Sequence, residues 1–148
     1  IWQPEPSRGY VDVNLTPENT PYDSFSSGIQ VLPPGCSVRE HGHKQNHELL
    51  FFYEGIGRCE IENSKYDLVP GTTVLFGRYA RHLITNTGDV DMKLFWVFFP
   101  PALEHWFRAI GQPRKPGEEM PDKFPRPDNV GDIMEYMKFM PPRSVKGK

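Results

Sequence analysis

The sequence predicts an all-β domain, an antiparallel barrel or sandwich, followed by two short helices. Three observations carry this expectation. From Tyr10 to about Phe99, short runs rich in Val, Ile, Phe and Tyr alternate with Gly, Pro, Asn and Asp at the short, even spacing of hairpin-connected strands. Helical periodicity is absent over the same stretch. After Phe99 the pattern changes: Leu103, Trp106, Phe107 and Ile110 recur at helical spacing between Pro100–Pro101 and Gly111.

Taken in order, strands are expected at Tyr10–Asn14, Ile29–Leu32, His47–Tyr53, Arg58–Glu62, Thr72–Phe76, His82–Thr85 and Val90–Phe99. The stretches Glu54–Gly57, Glu62–Lys65 and Val69–Gly71 hold the residues that tight turns need. Beyond the first helix, Gln112 to Asp128 contains five prolines and reads as an extended strap over the barrel. Asp128 or Asn129 can then cap a second helix whose apolar face is Val130, Ile133, Met134 and Met137. Both helices read as packing elements, and the tail from Pro141 to Lys148 as mobile. The chain, residues 1–148, is expected to be one domain, with a barrel core over 10–99 and a helical, proline-rich extension over 100–148.

Composition narrows the function. At 148 residues the chain can bury one substantial core. A net charge of −2, without a long run of like charge, argues against a nucleic-acid partner and for a small-molecule substrate. The longest apolar run, Leu94 to Phe99, is too short to cross a bilayer, so no membrane association is expected. The start at Ile1 has neither the basic region nor the apolar stretch of a signal peptide and reads as a trimmed start. Two cysteines, Cys36 and Cys59, make no disulfide framework or metal motif; buried thiols and a cytoplasmic location are expected. The outward residues of one strand, Leu49, Phe51 and Tyr53, are apolar, which points to a homodimer.

The histidines carry the chemistry. His41, His43 and His47 fall within seven residues, and His82 follows a later turn. Alternation on a strand puts His41 and His43 on one face, able to close on one ion, and His82 can reach the same point from a third strand. Imidazole with carboxylate suits iron(II), manganese, nickel, copper or zinc over calcium or magnesium. His47 and Glu48 are adjacent, so a regular strand lets only one of them serve the ion. Glu48 leads the face of Leu50 and Phe52, whereas a turn shorter by one residue would substitute His47.

The spacing of these residues resembles the cupin family. Gly35, five residues, His41, one residue, His43, four residues, Glu48, six residues and Gly55 reproduce the first cupin motif. Gly71, ten residues, His82, three residues and Asn86 give the second. The resemblance covers roughly Ile29 to Phe99 and implies a jelly-roll-like antiparallel β-barrel holding one divalent transition metal, iron(II) first among them, on His41, His43, Glu48 and His82. Where most cupins have Pro-x-Gly before the last histidine, this chain has Gly77, Arg78 and Tyr79, so that turn must be built differently. The layout of the C-terminal extension is similar, more weakly, to quercetinase-like single-domain cupins.

Around the ion, Arg39 shares the face of His41 and His43 on a regular strand, and Arg78 and Arg81 flank His82, placing cations near a metal-bound anion. Tyr79 can donate a hydrogen bond or fill the place of the missing glycine. Phe52, Phe76, Trp96 and Phe98 should line the barrel and favour an aromatic or unsaturated substrate over a sugar. The sequence therefore leads to a metal-dependent dioxygenase acting on a small oxygenated substrate. Glu48, Arg81 and Tyr79 are its catalytic candidates, and Arg39, Phe52, Arg78 and Trp96 its substrate contacts. The alternatives are a non-redox isomerase, decarboxylase or lyase, and a non-enzymatic small-molecule binder.

Overall fold

The computed structural model describes residues 1–143. Its strands are β1 (Tyr10–Leu15), β2 (Ser26–Leu32), β3 (Ser37–His43), β4 (His47–Glu54), β5 (Gly57–Ile61), β6 (Ser64–Leu68), β7 (Thr73–Phe76), β8 (His82–Asn86) and β9 (Met92–Phe99). Helices α1 (Leu103–Ile110) and α2 (Val130–Tyr136) and a two-residue strand β10 (Phe139–Met140) complete it. Two five-stranded antiparallel sheets, ordered β1-β2-β9-β4-β7 and β10-β3-β8-β5-β6, make a jelly roll. The sheets do not close into a continuous hydrogen-bonded barrel; their inner faces pack against each other instead.

The core is the set of inward residues that alternation selects. Leu50 and Phe52 of β4, Leu94, Trp96 and Phe98 of β9, Phe76 of β7 and Ile84 of β8 are each no more than 3% exposed. β2 begins three residues before the apolar run because Ser26, Ser27 and Gly28 pair with Phe98, Val97 and Trp96. Gly28 is needed there, since a Cβ would sit 2.7 Å from the Trp96 ring. β6 occupies part of a stretch expected to be turn. It is an edge strand, exposed at its first four residues, and the charges of Lys65 and Asp67 suit an edge while hiding the strand from a hydrophobicity pattern.

The extension is bound to the body more tightly than expected. α1 lays Leu103, Trp106, Phe107 and Ile110 onto the core as its spacing predicts. α2 starts after Asn129, whose side chain makes no capping hydrogen bond, and rests Val130, Ile133 and Met134 against the core. β10 then pairs with β3, Phe139 opposite His43 and Met140 opposite Gly42. The described part of the tail is fastened: Arg143 donates to Glu40 Oε2 at 2.6 Å, to Glu40 Oε1 at 3.2 Å and to the Glu62 carbonyl at 2.7 Å. The rest of the tail expected to be mobile, residues 144–148, lies outside the described residues.

Candidate metal centre

The first two ligands owe their placement to a break in β3. On the regular strand expected from sequence, Arg39, His41 and His43 share a face and Val38 opposes them. In the structure Val38 is opposite Ile84 and His41 opposite His82, so three steps on β3 match two on β8. One extra residue between Val38 and His41 is a bulge, which shifts the strand's phase and lets both Val38 and His41 face the interior. His41 and His82 are thus direct cross-strand neighbours, ring centroids 4.4 Å apart. His43 follows two residues on, fully buried, with its ring edge-on to Phe98 and Phe139 at 4.8 and 4.5 Å.

Glu48 enters from the opposite sheet. It lies in register between Phe76 and Phe98 on the inner face. Its Oε2 is 3.1 Å from His43 Nε2 and 3.2 Å from His82 Nε2. His47 faces the other way and stacks on Phe99 at 5.4 Å, so of the two only Glu48 joins the cluster of histidines. Donor atoms of His41, His43, Glu48 and His82 all lie within 4.8 Å of one another.

Hydrogen bonding orients these side chains so that they could hold a cation. His41 Nδ1 is 2.8 Å from the Arg39 carbonyl and His82 Nδ1 3.0 Å from the Ala80 carbonyl. Each ring must donate its Nδ1–H there, which leaves Nε2 as a lone-pair acceptor. His82 Nε2 is buried and without a hydrogen-bond partner, although Glu48 Oε2 is beside it. Two buried acceptors facing each other are costly unless a cation lies between them. Three imidazoles and one carboxylate fit a borderline divalent transition metal. Burial, reinforced by the neighbouring imidazoles, holds His41 well below its ordinary pKa, and burial lowers His43 against the pull of Glu48. Burial acts to raise the Glu48 pKa, but the hydrogen bond that His43 Nε2–H donates to it outweighs this and keeps the group below the usual carboxylate range. All three are therefore in the deprotonated form a metal needs.

The glycines and asparagine of the motifs are structural. Gly55 has φ +79°, and a Cβ there would meet the Asp91 carbonyl at 2.7 Å. Asn86 donates to the Leu32 and Val90 carbonyls and accepts from Gly88 N–H, which fixes the turn after β8. At the substituted turn Tyr79 takes a left-handed conformation, φ +68°, and donates its N–H to the His43 carbonyl. It fills the missing glycine's conformation while its side chain stays 62% exposed.

A pocket opens above the ligands. Arg39, Val38 and Leu50 line it with His41, Glu48 and His82, and its outer wall comes from Leu103, Trp106 and Phe107 of α1, Met134 of α2, Phe139 and Arg126. The helices expected only to pack thus also shape the cavity. Of the residues expected at substrate, Arg39 lines the pocket, whereas Phe52 and Trp96 are core side chains that do not reach it. Arg78, Tyr79 and Arg81 also lie outside its lining; Arg81 is directed to the Pro141 carbonyl at 3.3 Å. Sequence reading missed Trp106, Arg126 and Phe139 as pocket residues, because nothing local marks which side of a helix or strap faces a distant strand. Burial pushes the Cys59 thiol up to about 12 and raises Cys36, which disfavours the thiolate at both.

Comparison with known proteins agrees with this architecture. The Cupin domain family matches residues 28–98. Protein SchB of Streptomyces halstedii is 30% identical over 94 residues, covering 64% of this chain and 68% of that protein. Polyketide synthase CurC of Streptomyces cyaneus is 25% identical over 108 residues, covering 68% and 70%. Across the curated relatives matched, the chain spans from 50% to 70% of their length. Among solved structures, one described as a predicted oxalate decarboxylase from Thermotoga maritima superposes with a TM-score of 0.58 at 24% identity, covering 67% of this chain and 88% of that one.

Proposed function

Because the chain belongs to the cupin family, we propose that it is a metal-dependent enzyme acting on a small, oxygenated, acidic or aromatic substrate. The observation that carries this reading is the meeting of two buried acceptors, His82 Nε2 and Glu48 Oε2, at the floor of a pocket walled by aromatic side chains and a cation. A divalent ion held there by His41, His43, Glu48 and His82, with iron(II) first and manganese, nickel, copper or zinc as alternatives, supplies Lewis acidity and, where redox-active, dioxygen chemistry. The chain's residues do the rest. The Arg39 and Ala80 carbonyls fix the His41 and His82 rings, Phe76, stacked on His82 at 3.7 Å, covers that ring, and Phe139 covers His43 at 4.5 Å. Glu48, tied between two imidazoles, serves as ligand and charge partner.

Dioxygenation of an enolic or phenolic substrate is the first reading. A second, non-redox isomerisation, decarboxylation or lyase reaction, is favoured by the match to CurC, named as a polyketide synthase. Carbonyl-rich chains react through enolates, which need a polarising ion and no oxidant. The test is elemental analysis of the purified protein, followed by incubation with catechols, hydroxybenzoates and 3-oxo acids with and without oxygen. Oxygen uptake matching substrate loss supports dioxygenation, and equal turnover without oxygen supports the second reading. Absence of any bound ion together with absence of turnover overturns both. A second copy is proposed to pack on the outer face of β4, where Phe51 and Tyr53 are each 39% exposed; sedimentation checks this.

A further inference from the structure

Arg126 is the least expected residue of the pocket. It belongs to the strap between α1 and α2, yet its guanidinium lies over the Trp106 ring, 5.5 Å from the centroid, and its Nε is buried without a hydrogen-bond partner. Arg39 lines the same pocket. Among the described residues neither arginine has a carboxylate within salt-bridge distance, although most other arginines do. The two carboxylates of the pocket wall are already committed: Glu40 is clasped by Arg143, and Glu48 faces the histidines.

We propose that Arg126 and Arg39 form an anion-binding end of the pocket, so that the preferred substrate carries a carboxylate on a flat, unsaturated body, its carboxylate held by the guanidinium groups and its face against Trp106 and Phe139. Arg126 is half-buried and Arg39 exposed at the mouth of the same cleft; the two unneutralised guanidinium groups repel each other, and burial, with Arg39's charge second, lowers Arg126 to about 10. An anion removes both costs at once, and the guanidinium fork matches carboxylate geometry in a way an ammonium does not. Trp106 holds the Arg126 guanidinium from below. The line of rings continues from Trp106 to Phe139 at 5.3 Å and from Phe139 to His43 at 4.5 Å, so a flat molecule anchored at Arg126 has an aromatic path toward the ligands. The side chains of Gln3, Gln30 and Ser7 add neutral polar groups to the same wall.

This deepens the enzymatic reading of the site but does not need the metal. Its test is calorimetric binding of salicylate and of its neutral counterpart salicylamide to the full chain, once after chelator treatment and once after metal loading. Salicylate should bind the chelator-treated protein about ten-fold or more tightly than salicylamide, the scale of one charge-assisted contact. Arg126→Gln and Arg39→Gln should each abolish most of that preference while leaving salicylamide binding and metal content unchanged, and Arg126→Lys should retain part of it. Equal affinity for the two probes, no detectable salicylate binding, or full preference in both glutamine variants, folded by circular dichroism, overturns the proposal. If one variant fails to fold, the other and Arg126→Lys decide. Preference for the anion in a protein that takes up no metal would leave this inference standing and remove the metal reading; metal uptake without preference would do the reverse.

Discussion

Glu48→Gln separates a metal ligand from a merely buried polar group. The substitution keeps shape and removes the charge that faces His43 Nε2 at 3.1 Å and His82 Nε2 at 3.2 Å. Deleting one partner of a buried charged arrangement costs about 3–5 kcal/mol, which at 1.4 kcal/mol per decade corresponds to roughly a hundred- to several-thousand-fold weaker metal binding. The lower end is expected, since the amide oxygen can still ligate. Competition against a chromophoric chelator near neutral pH, on protein shown to be folded, measures the loss. His47→Ala is the control. Its ring lies on the opposite face, stacked on Phe99, and affinity should stay within about three-fold of the parent. Parent-like affinity in Glu48→Gln with a large loss in His47→Ala would refute the assignment of Glu48.

Other outcomes follow from the same geometry. His43→Ala should lose most metal on elemental analysis while keeping a β-rich circular dichroism spectrum, because the packed sheets supply most of the stability. Tyr79→Gly should raise the melting temperature slightly, since a non-glycine residue in the left-handed region costs about 1 kcal/mol and glycine's greater unfolded-state entropy returns only part of that; a clear fall would give the exposed phenol a role. Trp106→Ala should lose about 3–5 kcal/mol in denaturant unfolding, as the ring is only 8% exposed between α1 and the pocket. Metal-free protein should melt lower as pH falls below about 6.5. His41 and His43 are held neutral in the fold, so the unfolded chain takes up protons first; Glu48, with its lowered pKa, adds a loss in the same direction below about 4.5. A melting temperature that rises on acidification would show that these groups are not buried as described.

Much of the site was legible because it is written in short-range spacing. His41, His43 and His82 are brought together by alternation and turn placement, Glu48 is preferred to His47 by the cupin motif spacing, and α1 follows from its apolar repeat. What escaped depends on non-local partners. The bulge that lets Val38 and His41 face inward together arises from pairing with β8 and leaves no local mark on β3. Phe52 and Trp96 were correctly placed on inward faces, but alternation gives a side and not a depth, and both lie in the packed core away from the pocket. β10 is two residues long and carries no periodicity. Arg126 sits among prolines, where its burial against Trp106 depends entirely on where the strap crosses the helix.

The pairing of Phe139 with His43 has a consequence for the order in which the molecule is made. The four candidate donors lie on β3, β4 and β8, complete by Asn86, and the cross-strand pair His41–His82 spans about forty positions, so the cluster can form before Phe139 reaches it. The partner that covers His43 lies much further along the chain, and its contact spans nearly a hundred positions, the kind of closure that forms late. During that interval the cluster is open on the side that Phe139 later covers. A cluster that takes an ion is thus open to it before β10 pairs with β3, and the pairing closes that side afterwards.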